Sequence, residues 1–272
     1  MSNIPEEYCR QKAAATGTSF YYSTLYFPDK IKIDLYALHA FVVELQELIT
    51  DCSDPGVARM KLGWWVEETQ RLKDGFPRHP VTQQLVKVKI HFPEIESVML
   101  QLIRHYEQHI NMEAPENYAA LMDFLMQGPG LLWKLSARIC NPHHPNTPDA
   151  IGFLGCQFGW FQIIQNTHDN LQKNRNYWPK DELSDSVEAN EFYTFQIKRL
   201  LQELEKGTQQ IVDVDQTTQL HALIMAQIIA RTCEEIEKSG FRIEQEKITL
   251  TPFRKLWIAW RTFRKNRTSH QR

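Results

Sequence analysis

The sequence lacks most of the patterns that announce a particular chemistry. Its five cysteines, Cys9, Cys52, Cys140, Cys156 and Cys233, are odd in number and scattered, with no CxxC pair. That argues against a zinc framework and predicts reduced thiols in a cytoplasmic chain. No apolar run approaches the roughly 18 residues of a membrane span, so no transmembrane helix is expected. The opening MSNIPEEYCRQ has neither a basic n-region nor an apolar h-region, and no signal peptide is expected. No G-x-S-x-G elbow, P-loop or G-x-G-x-x-G turn is present, and no segment repeats. With a formal net charge of -2, no overall field gathers nucleic acid, and none is expected as a partner.

What is present is helical periodicity. Leu35, Leu38, Val42, Leu45 and Ile49 step by three and four, an amphipathic helix whose start is signalled equally by Asp29 and Asp34. Arg59 to Leu72 forms a second helix, ended by Gly75 and Pro77 in the turn DGFPRHP. Ile95–His109 and Tyr118–Ile139 follow, the latter carrying Gly128, Pro129 and Gly130, where an internal proline predicts a kink or break. After the loop Asn141–Pro148, helices are predicted over Ala150–Leu171, Val187–Lys206, Thr217–Ser239 and Thr251–Lys265. The one strand candidate is Ile243–Leu250, which carries charges throughout. Short connections between contiguous helices predict one all-α domain over 1–272, with a core of about 8–265 and a basic tail, 266–272.

Two polar faces stand out. On the first helix Glu44, Glu47 and Asp51 cluster on one side, a pattern expected of a solvated surface, while Gln46 and Thr50 lie roughly 110° away. On the helix after the proline-rich loop, Gly155, Gly159, Gln162, Asn166 and Asn170 form a single stripe. Each glycine costs on the order of 1 kcal/mol of helix stability against alanine. Two on one face therefore indicate close approach, either of another helix or of a ligand. His143 and His144 have no further metal ligands that spacing identifies, and read as a surface loop. From Arg254 to Arg272 there are seven Arg or Lys and no Asp or Glu, mixed with Trp257, Trp260 and Phe263. That segment is expected to dock by its aromatic face and to offer residues 251–267, through its basic side, to the inner surface of a membrane.

Several blocks resemble one family. SFYYSTLYFPDKIKIDLYALHAF (Ser19–Phe41) is similar to the first conserved block of the squalene/phytoene synthases. ARMKLGWWVEETQRLKDGFPRHPV (Ala58–Val81) resembles their Trp/Glu helix and following turn. NRNYWPKDEL (Asn174–Leu183) and Glu234–Trp260 resemble later blocks, in the right order. The resemblance implies an all-α isoprenoid-synthase-type helical bundle around a central cavity, with two acidic motifs across its mouth. It implies magnesium ions that neutralise the diphosphate of a prenyl substrate, so that two prenyl diphosphates join head to head. It also implies substrate-binding roles for Ser19, Phe20, Tyr21, His39, Gly159, Gln162, Arg175 and Tyr177.

The motifs themselves depart from the family. Their four aspartates fall at Gln46, Thr50, Asn166 and Asn170, and two accompanying arginines at Val43 and Gln165. A charge pair at ~4 Å in an effective dielectric near 20 is worth about 4 kcal/mol, so losing four carboxylates removes the means of gathering several magnesium ions. Glu47, Asp51 and Asp169 adjoin the motifs and are the carboxylates available for rescue. The expected function is a family member without ordinary magnesium-dependent synthase activity, binding an isoprenoid diphosphate or other lipid-like ligand, or a partner protein. The alternatives are a working head-to-head prenyltransferase using the displaced carboxylates with Mg2+, and a helical interaction factor with a collapsed cavity.

Overall fold

Thirteen α-helices and no strand form among the described residues, 4–52, 54–89, 92–173, 175–183 and 188–269 of a computed structural model. The Ile243–Leu250 strand candidate is therefore corrected. A 3-10 turn at Arg242–Glu244 follows Phe241, whose φ is +59°, and an unpaired segment leads on from it. Contacts divide the chain into two compact units, Met1–Tyr21 with Tyr26–Asn111, and Tyr22–Leu25 with Met112–Arg272.

The first unit holds α1 (Ile4–Ala13), α3 (Asp29–Asp51), α4 (Pro55–Asp74), α5 (Pro80–Lys89) and α6 (Ile95–Gln108). Between α1 and α3 runs α2 (Ser19–Thr24), whose last residues belong to the second unit. The stripe Leu35, Leu38, Val42, Leu45 and Ile49 is buried, as periodicity predicts. α3 begins at Asp29 directly after Pro28, without a side-chain cap, and Asp29 pairs with Lys32 at 2.7 Å. α4 starts four residues earlier than expected. The Asp54 carboxylate accepts from the amides of Gly56 and Val57 at 2.7 and 3.0 Å, with Pro55 at the first helical position. Its end at Gly75, φ +87°, is as predicted. The short helices α1, α2 and α5 were not predicted. α5 owes its start to a residue far from it in sequence: Glu68 of α4 accepts from the amides of Arg78 and His79 and from the Thr82 hydroxyl.

The second unit contains α7 (Tyr118–Leu125), a π-helical turn (Met126–Gly130), α8 (Leu131–Ile139), α9 (Thr147–Gln165), α10 (Thr167–Gln172), α11 (Ala189–Gln209), α12 (Leu220–Lys238) and α13 (Pro252–Ser269). Pro129 interrupts the helical ladder as predicted, and the extra residue is absorbed in the π turn. α9 is buried on nearly every side, packed by α7, the π turn, α8, α11 and α12. The expected helix Ala150–Leu171 is not continuous. It breaks at Asn166, where φ is −97° and ψ +20°, and the Thr167 hydroxyl donates to the Ile164 carbonyl at 2.7 Å. The Val187 start expected for α11 lies outside the described residues, as do Asn174 of the NRNYWPKDEL block and the last three residues of the basic tail.

The proline-rich loop is tied to the fold through Asp215. This fully buried carboxylate accepts from the amides of His143 and His144 at 2.6 and 2.9 Å and from the Thr147 hydroxyl at 2.5 Å. Burial pushes its pKa up, but these bonds outweigh burial and bring it down to about 2. A depressed carboxylate stabilises the fold fully above its ordinary value of 3.8 and progressively less as the pH falls from there toward 2. Asp215→Asn keeps one acceptor and turns an amide group toward the other donors. It is expected to cost about 2–3 kcal/mol in urea unfolding at neutral pH, with the difference from the parent shrinking below pH 3.8.

Candidate functional site

A cavity of about 470 Å³ lies within the second unit, where α9 breaks and α10 begins. Its walls are apolar through Ile163, Leu171, Trp178, Leu183, Phe192 and Tyr193, and polar through Thr167, Asn170, Arg175, Asn176 and Tyr177. No carboxylate lines it among the described residues. Its size falls within the range of small-ligand sites, roughly 300–1,000 Å³. Leu171 and Leu183 are exposed, so the cavity reaches solvent over an apolar rim.

Local chemistry explains the shape. The Arg175 amide donates back to the Asn170 carbonyl at 2.9 Å, closing the chain after α10 with both residues on the cavity wall. The Asn176 side chain accepts from the Trp178 amide at 2.9 Å. The amides of Lys180 and Asp181 bond the carbonyls of Pro115 and Glu116. The Trp178 ring meets Phe192 at 4.9 Å, Tyr193 at 5.8 Å and Trp160 at 5.0 Å, a continuous aromatic wall. The Tyr193 hydroxyl donates to Glu244, whose carbonyl is bonded by His168 Nδ1 at 2.7 Å. Burial raises the Tyr177 pKa, with Arg175 opposing, so Tyr177 remains a neutral hydroxyl at neutral pH. Beside the cavity the Asn166 side-chain oxygen is buried and has no donor among the described residues.

Of the residues expected to bind substrate, this cavity brings Arg175 and Tyr177 together, with the motif position Asn170. Gln162 is exposed. Gly159 belongs to a different contact. A Cβ there meets Pro129 Cγ at 2.5 Å, and one on Gly155 meets the Pro129 carbonyl at 2.6 Å and Trp133 Cβ at 2.7 Å. Gly155 and Gly159 therefore pack closely against the π turn and α8. Trp178, Phe192 and Tyr193 were not singled out from sequence. The only sign of them is the aromatic clustering in NYWP and EFYTF, which is equally the mark of an ordinary core.

The remaining candidates, except Asp169, lie in the first unit. Phe20 is buried and stacks on His39, ring centroids 3.9 Å apart, with Tyr36 edge-on at 6.2 Å. Ser19 and Tyr21 are half-buried beside it in sequence. Gln46 is half-buried, and Thr50 is exposed with its hydroxyl bonded to Asp51 at 3.1 Å. The acidic face is not the free surface it was expected to be. Tyr8 donates to Glu44 at 2.5 Å, and Lys12 pairs with both Glu44 and Glu47. Glu47 is thus committed to α1. Asp51 and Asp169 are exposed.

The sequence model of the squalene/phytoene synthase family matches residues 13–254. The chain belongs to that family. Its fold is similar to that of a dehydrosqualene synthase solved in complex with ligand, with a TM-score of 0.81 and 16% identity over 97% of each chain. It is also similar to the squalene synthase HpnC of Alicyclobacillus acidocaldarius, with a TM-score of 0.73 and 14% identity over 88% of this chain and 95% of that one. At these identities the likeness concerns the isoprenoid-synthase fold. Comparison with curated protein sequences finds no match.

The magnesium implied by the family does not fit the residues this member carries. Gln46, Thr50, Asn166 and Asn170 supply no negative charge, and Glu47 is paired with Lys12, which Glu44 shares. Among the described residues, no three His, Cys, Asp or Glu side chains are grouped to hold a metal ion.

Proposed function

We propose that this squalene/phytoene synthase homologue binds an isoprenoid or comparable lipid-like chain in the cavity of its second unit, without the metal-assisted ionisation that joins two prenyl diphosphates. One observation carries the reading: the cavity has an aromatic and aliphatic wall, and its polar groups are one cation and neutral hydroxyls and amides. Such a lining favours an apolar tail and tolerates a single anionic or hydroxyl head beside Arg175. It offers no negative charge with which to recruit a metal to a polyanion.

Purified protein incubated with farnesyl or geranylgeranyl diphosphate and magnesium is expected to yield no C30 or C40 product. Titration with farnesyl diphosphate is expected to change the tryptophan fluorescence saturably through Trp178, equally with and without EDTA. Ile163→Trp, which fills the cavity, is expected to weaken that binding at least ~10-fold, or about 1.4 kcal/mol. Product formation overturns the reading. In that event Glu47→Gln and Asp51→Asn separate displaced-carboxylate chemistry from any other route, because product surviving both removes the displaced-metal idea.

A second reading, a helical interaction or assembly factor, draws support from the tight packing of Gly155 and Gly159. It prevails if neither product nor saturable ligand binding is observed.

A further inference from the structure

Helix α13 is turned inside out relative to an ordinary surface helix. Its inward face, packed on α12, carries Lys255, Ala259 and Asn266, each at most 8% exposed. Its outward face carries Phe253 at 76%, Trp257 at 53%, Leu256 at 42% and Trp260 at 37% exposure. The aromatic face expected to dock is therefore the one left in solvent. A helix of a water-soluble protein normally places its apolar stripe on the core and its charges outside. Here a lysine and an asparagine occupy the core side, and two tryptophans 4.8 Å apart face out.

Charge accompanies the exposed aromatics. Arg261, Arg264, Lys265 and Arg267 are all exposed on the second half of the helix, with Arg264 lying 5.0 Å over the Trp260 ring. No Asp or Glu follows Glu246 in the sequence. The helix thus has an aromatic first half and a cationic second half, over about 27 Å at 1.5 Å per residue. No helix among the described residues is long and apolar enough to cross a membrane. An exposed aromatic face beside clustered cations is instead suited to lie in a bilayer interface, with rings at the level of the headgroups and guanidinium groups on phosphates. A second copy of the same helix is a poorer occupant, because it brings the same cations against these.

We propose that α13 is a docking helix for an anionic lipid bilayer, seating Phe253, Leu256, Trp257 and Trp260 in the interface with its basic second half on the headgroups. The seating is independent of what fills the cavity.

The test is co-sedimentation of the full chain with vesicles of phosphatidylcholine alone and of equimolar phosphatidylcholine and phosphatidylglycerol. Binding is expected to the anionic vesicles, far weaker to the neutral ones, and reduced by raised salt. The variant Phe253→Ser/Trp257→Ser/Trp260→Ser is expected to lower partitioning about tenfold or more. Arg261→Gln/Arg264→Gln/Arg267→Gln is expected to remove the preference for anionic over neutral vesicles. All six side chains are exposed, and an unchanged thermal transition in each variant verifies folding. Folded parent protein that stays in the supernatant overturns the proposal, as does an aromatic variant that sediments like the parent. A concentration-dependent dimer that the aromatic variant loses, without vesicle binding by the parent, assigns the face to a second copy and equally overturns it.

Discussion

Glu68→Ala is expected to lower the free energy of unfolding by about 4 kcal/mol, measured in urea at neutral pH. The Glu68 side chain is wholly buried. One carboxylate oxygen, Oε1, accepts from the Arg78 amide at 2.6 Å, the His79 amide at 2.8 Å and the Thr82 hydroxyl at 2.6 Å. The other accepts from Arg71 at 3.0 Å. Alanine leaves four donors facing a void, each unmatched buried donor costing about 1–3 kcal/mol and part of that being recovered where water enters. The turn before α5 is also where His79 sits, its ring 4.8 Å from Trp65 and 5.5 Å from Tyr8, so loosening it disturbs the contact of α1 with α4 and α5.

Glu68→Gln discriminates between the two oxygens. Its amide oxygen at the Oε1 position keeps three donors and sets its NH2 against Arg71, so a smaller loss of about 1–2 kcal/mol is expected. A loss below about 1 kcal/mol for alanine contradicts this account. Burial pushes the Glu68 pKa up, but the bonds from His79, Thr82, Arg78 and Arg71 outweigh it and hold the carboxyl below its ordinary value of 4.5. The stabilisation is accordingly complete above pH 4.5 and declines as the pH falls below it.

Gly155→Ala/Gly159→Ala is expected to destabilise by about 3 kcal/mol in the same measurement. Each methyl falls within 2.7 Å of the π turn or of α8, on atoms of Pro129 and Trp133 that cannot swing aside. Overpacking of this kind costs about 1–3 kcal/mol per site, offset by up to about 1 kcal/mol per site of helix propensity. Gly63 supplies an internal comparison. It also lies inside a helix, α4, but nothing stands within 4 Å of a Cβ placed on it. Gly63→Ala is expected to stabilise by about 1 kcal/mol. If the double variant stabilises as well, the stripe on α9 faces open space, and a ligand-facing role for Gly159 is supported.

These two sites illustrate what was legible and what was not. The turn DGFPRHP and the Trp/Glu helix before it are legible as blocks of the family resemblance, and Gly75 as the helix end. That Glu68 caps a helix ten to fourteen residues downstream was not visible, since it depends on how α4 and α5 lie against one another. The glycine stripe was visible as a line on a helical wheel, but a wheel does not say what the line faces. The break at Asn166 leaves no mark on the sequence, since the apolar periodicity runs on through Leu171. Arg175 and Tyr177 were identified by their place in a motif. Their companions Trp178, Phe192 and Tyr193 carry no pattern separating a cavity wall from a core.

Helical periodicity and residue identity are local properties, and they suffice to read this chain as an all-α member of the squalene/phytoene synthase family. That Gly155 and Gly159 pack on the π turn and α8, that Glu47 pairs with Lys12, and that α13 turns Trp257 and Trp260 outward with Lys255 and Asn266 inside are properties of the fold. Each of those depends on which of several chemically adequate faces a helix presents to its neighbour. That choice is made by the summed packing of the whole unit and not by the residues of any one helix.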